Sequence, residues 1–207
     1  SLVVAWHGAY AGMKVLGVDP APNIAKIAVE EHGIDTIPDF FTTSLARKIV
    51  AEHGHASVIA ATNIFAHISD LHDSMKAVDI LLGEGGIFVI ESPYLLDLLN
   101  NLEYDTIYHQ HLRYLSIRPM KSFFESFGFE IFDVVRTGIH GGSIKVFVAR
   151  NGERPVLPSV QEFLSLEESQ QAYSIKRLKR FAGQVEEHRR LLRGMLDDLK
   201  QQCKRIV

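Results

Sequence analysis

Lys14-Val-Leu-Gly-Val-Asp-Pro-Ala21 is the stretch on which the reading of this chain turns. A β-branched apolar run that ends in an acid reads as a short parallel strand, buried on both faces, and Pro20 and Pro22 break it. Asn23 is expected to cap a helix over residues 24–32, whose Ile24, Ile27 and Ala28 share one face. Gly33 supplies its C-cap.

The same unit repeats downstream. Residues 35–41 read as a strand with its exit loop. Residues 43–53 read as a helix with Leu45, Ile49 and Val50 inward, stopped by Gly54. Residues 56–61 are small and apolar, fit for a third strand. A loop or single turn over 63–67 and a helix over 70–82 come next, then a turn at 83–86 and a fourth strand over 87–91. Strand–helix alternation of this kind predicts an α/β fold built on a doubly wound parallel sheet. The later chain changes character. A helix over 119–127, closed by Gly128, precedes two strands, 129–136 and 143–150. Their short link, Thr137-Gly-Ile-His-Gly-Gly142, favours an antiparallel hairpin. From Pro158 the chain reads as helical. Ile175, Leu178, Phe181, Val185, Leu192, Met195 and Leu199 form an amphipathic stripe that needs a partner surface, on the same chain or on a second copy. Two parts are therefore expected: an α/β domain over 1–150 and a helical C-terminal segment over 151–207.

Bulk properties narrow the function. The 207 residues are 46% apolar and 23% charged with a net charge of −3, the profile of an ordinary globular protein. The basic residues of 176–180 and 189–193 alternate with apolar ones and read as a solvated helix face, so nucleic acid is not an expected partner. The single cysteine, Cys203, excludes an internal disulfide or a Cys-based zinc site. Residues 1–6 are apolar but short and without a basic leader, and no run approaches the ~20 apolar residues of a membrane span, so a cytoplasmic location is the expectation.

Two acids carry the cofactor signal. Asp19, at the carboxyl end of its strand, can accept hydrogen bonds from both ribose hydroxyls of an adenosine; an Asp ahead of Pro20 is also a common turn former. Asp39-Phe40-Phe41 follows the next strand, where an acid and an aromatic can hold an adenine; core phenylalanines are the plainer alternative. Nucleotide-binding sheets place a glycine-rich turn ahead of the acidic strand. The residues before Asp19 contain no Gly-x-Gly and read better as a helix, so the chain is expected to begin inside the domain.

Chemistry concentrates in Tyr108-His109-Gln110-His111. Two imidazoles and a phenol within four residues can supply a base near neutral pH and a hydrogen-bonding acid, or can be a surface histidine cluster in a chain with ten histidines. No carboxylate or cysteine adds a clear third ligand, so no metal site is read there.

Five motifs occur in order: Val15-Leu-Gly-Val-Asp-Pro-Ala21, Asn63-Ile-Phe-Ala-His-Ile-Ser-Asp70, Glu91-Ser-Pro-Tyr94, Tyr104-Asp-Thr-Ile-Tyr-His-Gln-His111 and His140-Gly-Gly-Ser143. Together they resemble the C-methyltransferases of deoxysugar biosynthesis, which use S-adenosyl-L-methionine (SAM) to methylate carbon 3 of a dTDP-4-keto sugar. The resemblance runs from about residue 14 to 150 and implies a class I SAM methyltransferase (Rossmann-like) sheet with a hairpin ending. It implies His111 as general base, with Tyr108 and His67 beside the reacting centre. Gln110 stands where the family motif has glutamate. It also implies Asp19, Pro20, Asp39, Phe40 and Asn63 for the cofactor, and Glu91, Tyr94, His140 and Ser143 for the substrate. The Gly141 and Gly142 amides could form a phosphate nest or a plain hairpin turn. The family's N-terminal cysteine-rich zinc module and its second Rossmann-like unit have no counterpart in these residues. Other readings stay open: an O- or N-methyltransferase, a truncated or non-catalytic chain, and an NAD-dependent oxidoreductase. A homodimer through the C-terminal helix is the expected assembly.

Overall fold

Short parallel strands joined by capped helices make up the first half of the chain in the computed structural model, which describes residues 13–205. β1 (Gly17–Val18) leads into α1 (Pro22–His32), β2 (Thr36–Ile37), α2 (Thr43–His53), β3 (Ala56–Thr62), α3 (Leu71–Leu81) and β4 (Leu82–Pro93). Local chemistry sets the helix ends. Pro22 sits in the first turn of α1, where its missing N–H costs nothing. The Ala21 N–H ahead of it donates to Asp19 Oδ1 at 2.9 Å. Asn23 therefore lies inside the helix and does not cap it. Gly33 closes α1 in the left-handed conformation (φ 63°), as expected. Thr42 caps α2 by accepting from Leu45 N, and Asp70 caps α3 by accepting from Asp73 N at 2.9 Å.

The second half adds α4 (Leu95–Asn101), α5 (Ile117–Glu125), β5 (Phe129–Thr137), β6 (Ser143–Arg150), α6 (Pro158–Ser169) and α7 (Ile175–Gln201). β1 and β2 pair in parallel as a two-stranded sheet. The four-stranded sheet runs β3-β4-β6-β5, with β3 parallel to β4 and both β4–β6 and β6–β5 antiparallel. The predicted antiparallel ending is present.

Alternation along the strands sorts the two faces. Phe88 and Ile90 of β4, Ile131 and Val134 of β5, and Ile144, Val146 and Val148 of β6 point one way. They bury against Met75 and Val78 of α3, Ile117, Met120 and Phe124 of α5, and Val160 of α6. Each such side chain contributes about 1.5–3 kcal/mol through removal from water. A second core joins Leu45, Ala46 and Ile49 of α2 to Ala77 and Leu81 of α3, with Leu16, Val18, Ile37 and Ile59 packed against it. Helices α2 and α3 thus pack against both the β1–β2 pair and β3 of the larger sheet. The helical crossovers from β1 to β2 and from β3 to β4 are the connection used between parallel strands.

Several expectations change. Residues 83–86 form no separate turn: β4 begins at Leu82, opposite Ala56, and the ladder resumes at Val58 opposite Ile87, so the glycines are absorbed as a bulge in which Gly85 takes φ 66°. Helix α4 was not foreseen. Val160 of α6 and Ala172 pack with the sheet. Helix α7, in contrast, has no buried residue. The expected helix over the first residues lies outside the described residues.

Candidate active site

The carboxyl ends of β3 and β4 carry the reactive cluster. After β3, Asn63 turns the chain with φ 54°, its N–H bonded to Glu91 O of β4 at 2.8 Å. Phe65 and Ala66 then plug into the core, with Phe65 against Phe88 and Phe124. Anchoring two residues this deeply forces the next one, His67, out onto the surface.

The segment 104–115 is laid over this loop. The Leu112 N–H donates to Ala66 O at 3.1 Å, and Arg113 donates to the carbonyls of Ile68 and Ser69. Downstream, Leu115 is buried, bridges to Tyr94 and accepts from Leu95 N at 2.9 Å. Upstream, a 3-10 turn, Tyr104–Thr106, sets the direction of approach.

These contacts bring three predicted residues together. The rings of His67 and His111 lie 4.8 Å apart and those of Tyr108 and His111 lie 4.2 Å apart, centroid to centroid. His111 Nδ1 is 2.7 Å from Thr106 O, and Nε2 is 3.1 Å from the Tyr108 hydroxyl. A carbonyl can only accept, so the proton sits on Nδ1. In the neutral ring Nε2 then carries a lone pair and accepts from Tyr108. The same logic fixes His67, whose Nδ1 donates to Gln110 O at 2.8 Å and whose Nε2 is left as an acceptor. Gln110 therefore acts here through its backbone carbonyl. Two imidazoles in one tautomer, one of them half-buried and capped by a phenol, make a proton acceptor with a reserve hydrogen-bond donor beside it.

The cofactor candidates lie at the carboxyl ends of β1, β2 and β3. Asp19 is half-buried and spends Oδ1 on the Ala21 N–H, so the turn-forming role is real and one carboxylate oxygen remains for a ligand. Pro20 is exposed beside it. Asp39 Oδ1 accepts from Phe40 N at 2.8 Å, and the Phe40 ring is 69% exposed while Phe41 packs into the core. An exposed aromatic face next to a carboxylate suits a purine. Asn63 Oδ1 is buried with no hydrogen-bond partner among the described residues, an orphan acceptor that a ligand donor would satisfy. A ribose, an adenine and an amine thus find matching groups, and the set fits SAM.

The substrate candidates fare differently. Glu91 is 6% exposed and paired with Lys145 Nζ at 3.3 Å. Tyr94 is 1% exposed; its hydroxyl donates to Glu167 at 3.0 Å, and burial next to that carboxylate pushes its pKa far upward. It is a structural residue and offers no surface to a ligand. The phosphate-nest reading of the hairpin is also overturned. Gly142 N bonds Ile139 O at 3.1 Å, and Ser143 is fully buried with Oγ donating to the same carbonyl at 2.9 Å. The positive-φ backbone at Gly141 and Gly142 lies so close to the carboxylates of Glu103 and Asp97 that any Cβ would collide with them. A phosphate there would meet two negative groups. Asp97 is instead bound by Arg136, whose charged form that hydrogen bond stabilises. The His140 side chain lies outside what the structure describes. Among the described residues no three His, Cys, Asp or Glu side chains converge as a metal site, and no helix is long and apolar enough to cross a membrane.

Sequence reasoning missed Glu167. It is fully buried on α6 and accepts from the hydroxyls of Tyr94 and Tyr173 and from the backbone N–H groups of Ile117 (2.6 Å) and Arg118 (3.1 Å).

Comparison with known proteins agrees with this architecture. The methyltransferase-domain profile matches residues 3–134, and that of the C-methyltransferase C-terminal domain matches residues 138–207. C-methyltransferase NovU of Streptomyces niveus is 40% identical over 195 residues, covering 92% of this chain and 46% of NovU. The chain thus spans about half the length of that curated relative. A SAM-dependent methyltransferase from Anabaena variabilis superposes with a TM-score of 0.55 at 17% identity, over 72% of each chain. The PH0226 protein from Pyrococcus horikoshii does so with a TM-score of 0.50 at 16% identity, over 68% of this chain and 73% of its own. At those identities the likeness speaks to the fold, a Rossmann-like α/β methyltransferase fold. Over residues 138–207, and in its identity to NovU, the chain is similar to C-methyltransferases; because the methyltransferase-domain profile matches well over half of it, the chain belongs to the SAM-dependent methyltransferases.

Proposed function

We propose that the protein containing this chain methylates carbon next to a ketone in a nucleotide-linked sugar, with His111 as the base. The observation that carries the proposal is the fixed tautomer of His111: Thr106 O holds the proton on Nδ1 and leaves Nε2 as the acceptor, beside the Tyr108 hydroxyl. The motifs shared with deoxysugar C-methyltransferases point to the keto-sugar.

The chemistry follows from these groups. A keto group acidifies the neighbouring C–H, and His111 Nε2 removes that proton. Proton transfer by a positioned group contributes roughly 10²–10⁴-fold. Taking the proton makes the ring an imidazolium, whose Nδ1–H bond to Thr106 O becomes charge-assisted and stronger. The Tyr108 hydroxyl loses its acceptor at that moment and is free to donate to the developing enolate oxygen. His67, whose ring lies 4.8 Å from that of His111, presents an unprotonated Nε2 beside the base. SAM, held by Asp19, Asp39, Phe40 and Asn63, supplies an electrophilic methyl group when bound. Glu91 with Lys145 places a charged pair on the face of the sheet opposite the main core, within the reading as a polar boundary of the substrate space. The exposed apolar residues Leu178, Leu191, Leu192 and Met195 of α7 support a homodimer contact, which sedimentation against concentration tests.

The test uses the full-length protein, a dTDP-4-keto-6-deoxy sugar and SAM. In deuterated water the α-proton should exchange, and methyl should appear on carbon. Methyl on oxygen or nitrogen with no exchange would replace this reading by an O- or N-methyltransferase. Absence of SAM binding by calorimetry would replace it by a non-catalytic one.

A further inference from the structure

We propose that His188 of α7 and Tyr104 form a latch that positions the His111 base, so that the C-terminal helix sets the state of the catalytic loop. The proposal rests on His111 as the base and adds His188, which lies outside every motif, and a role for Tyr104, which opens the fourth.

The sequence of α7 marks His188 first. Leu178, Phe181, Val185, His188, Leu192, Met195 and Leu199 follow one another at alternating steps of three and four, the spacing of a single helical seam. Every other member is apolar. Packing alone would select leucine at 188, so the imidazole marks a polar contact. The structure supplies that contact: the Tyr104 hydroxyl and His188 Nδ1 are 2.9 Å apart, with the rings edge-to-face at 5.6 Å. Three turns earlier Arg177 donates to Asn100 Oδ1, and Asn100 donates to Gln170 Oε1 at 3.0 Å. Helix α7 thus grips α4 and the turn behind it at two separated points.

The second point leads straight to the base. Tyr104 opens the 3-10 turn in which Ile107 N bonds Tyr104 O (3.0 Å) and Thr106 Oγ1 bonds Glu103 O (2.8 Å). The same turn presents the Thr106 carbonyl to His111 Nδ1 at 2.7 Å. A shift of Tyr104 therefore moves the one acceptor that holds the proton off Nε2. His188 and Tyr104 are positioning residues and take no part in the chemistry.

The experiment uses the full-length protein with ¹⁵N-labelled histidine. Variants His188→Leu and Tyr104→Phe are compared with His188→Gln, which can still accept the hydroxyl. His188→Leu completes the apolar seam and so leaves the helix at least as stable. Expected are a kcat lower by roughly tenfold or more with KM unchanged, loss of the single Nδ1–H tautomer signature of His111, and recovery of both by His188→Gln. The double variant should be no worse than either single one. The His111 resonance is identified by its absence in His111→Asn. Wild-type kcat and an unchanged His111 signature in His188→Leu would overturn the proposal. So would a lower kcat with an unchanged signature, because the effect would then bypass that ring. If the signature changes but His111→Asn keeps full activity, the latch stands and the base assignment fails.

Discussion

At the scale of the residue, the site depends on which nitrogen of His111 bears a proton. Asparagine at 111 can still donate to Thr106 O but presents no basic nitrogen. His111→Asn is expected to lower methyl transfer by roughly 10²–10⁴-fold and to abolish exchange of the substrate α-proton, with SAM binding by calorimetry unchanged. Full rates of both exchange and transfer in that variant would remove His111 from the role. Tyr108→Phe removes only the hydroxyl that bonds Nε2. The base remains, but the developing enolate loses a donor, so exchange and methyl transfer should both drop by about tenfold. Unchanged rates of both in Tyr108→Phe would remove the hydroxyl from that role. The side chains His67, Tyr108 and His111 were legible from motif and resemblance. The groups that orient them were not. Thr106 O and Gln110 O are backbone carbonyls, and a main-chain acceptor leaves no trace in residue type. Gln110 shows the difference: its amide drew attention as a departure from a glutamate, whereas its carbonyl makes the contact.

At the scale of the element, α5 begins without help from its own sequence. Ser116 precedes it but makes no side-chain cap bond, and the first N–H groups, Ile117 and Arg118, are satisfied by Glu167 from α6. Glu167 lies fifty positions away, too far for any local capping pattern to reveal it. The hairpin at 138–142 misled for the same reason: its glycines suggested a nest for phosphate, but Asp97 and Glu103, distant in sequence, already occupy its concave side. Capped helices with local signals, such as α2 after Thr42 and α3 after Asp70, were readable. Glu167→Ala strands the buried Tyr94 hydroxyl, the partly exposed Tyr173 hydroxyl and two N–H groups and is expected to cost about 3 kcal/mol in urea unfolding. Glu167→Gln keeps one strong acceptor and should cost less. An alanine variant as stable as wild type would show that water replaces the carboxylate. The two tyrosines add a pH dependence. Burial raises the pKa of both Tyr94 and Tyr173 above that of a free phenol, with the Glu167 carboxylate adding to it. A group raised in the folded state holds its proton there while the unfolded chain loses it. Stability is therefore complete below the free-phenol value of about 10 and falls as pH rises above it. Urea unfolding at rising alkaline pH should show this decline, and Tyr173→Phe should flatten it.

At the scale of the whole molecule, burial is distributed unevenly, and α7 is the extreme. The alternating strand–helix pattern revealed the sheet and its hairpin ending because burial imposes a recognisable composition on β4 and β6, whereas β3, equally apolar, leaves Ser57 and Val58 exposed. The same reasoning showed α7 to be amphipathic but not what covers it. The structure gives its 27 residues no buried side chain, with Leu191, Leu192 and Met195 exposed by 56%, 41% and 54%. Its N-terminal half is tied to the body by Arg177–Asn100 and His188–Tyr104. Beyond Arg190 its hydrogen bonds rest on local helix propensity, which holds a short stretch only marginally in water. Local opening should therefore cost little there and nearly the full unfolding free energy in β4 and β6. Hydrogen exchange should show amides of 191–201 exchanging fastest within α7, amides of 175–188 more slowly, and those of 88–90 and 144–148 slowest. His188→Leu should speed exchange in the 104–108 turn while leaving the sheet unchanged. Protection in 191–201 equal to that of the sheet would mean that something else covers this face. Diluting the sample then separates the cases: protection lost on dilution indicates a second copy on the seam, and protection that persists indicates cover from within the same chain.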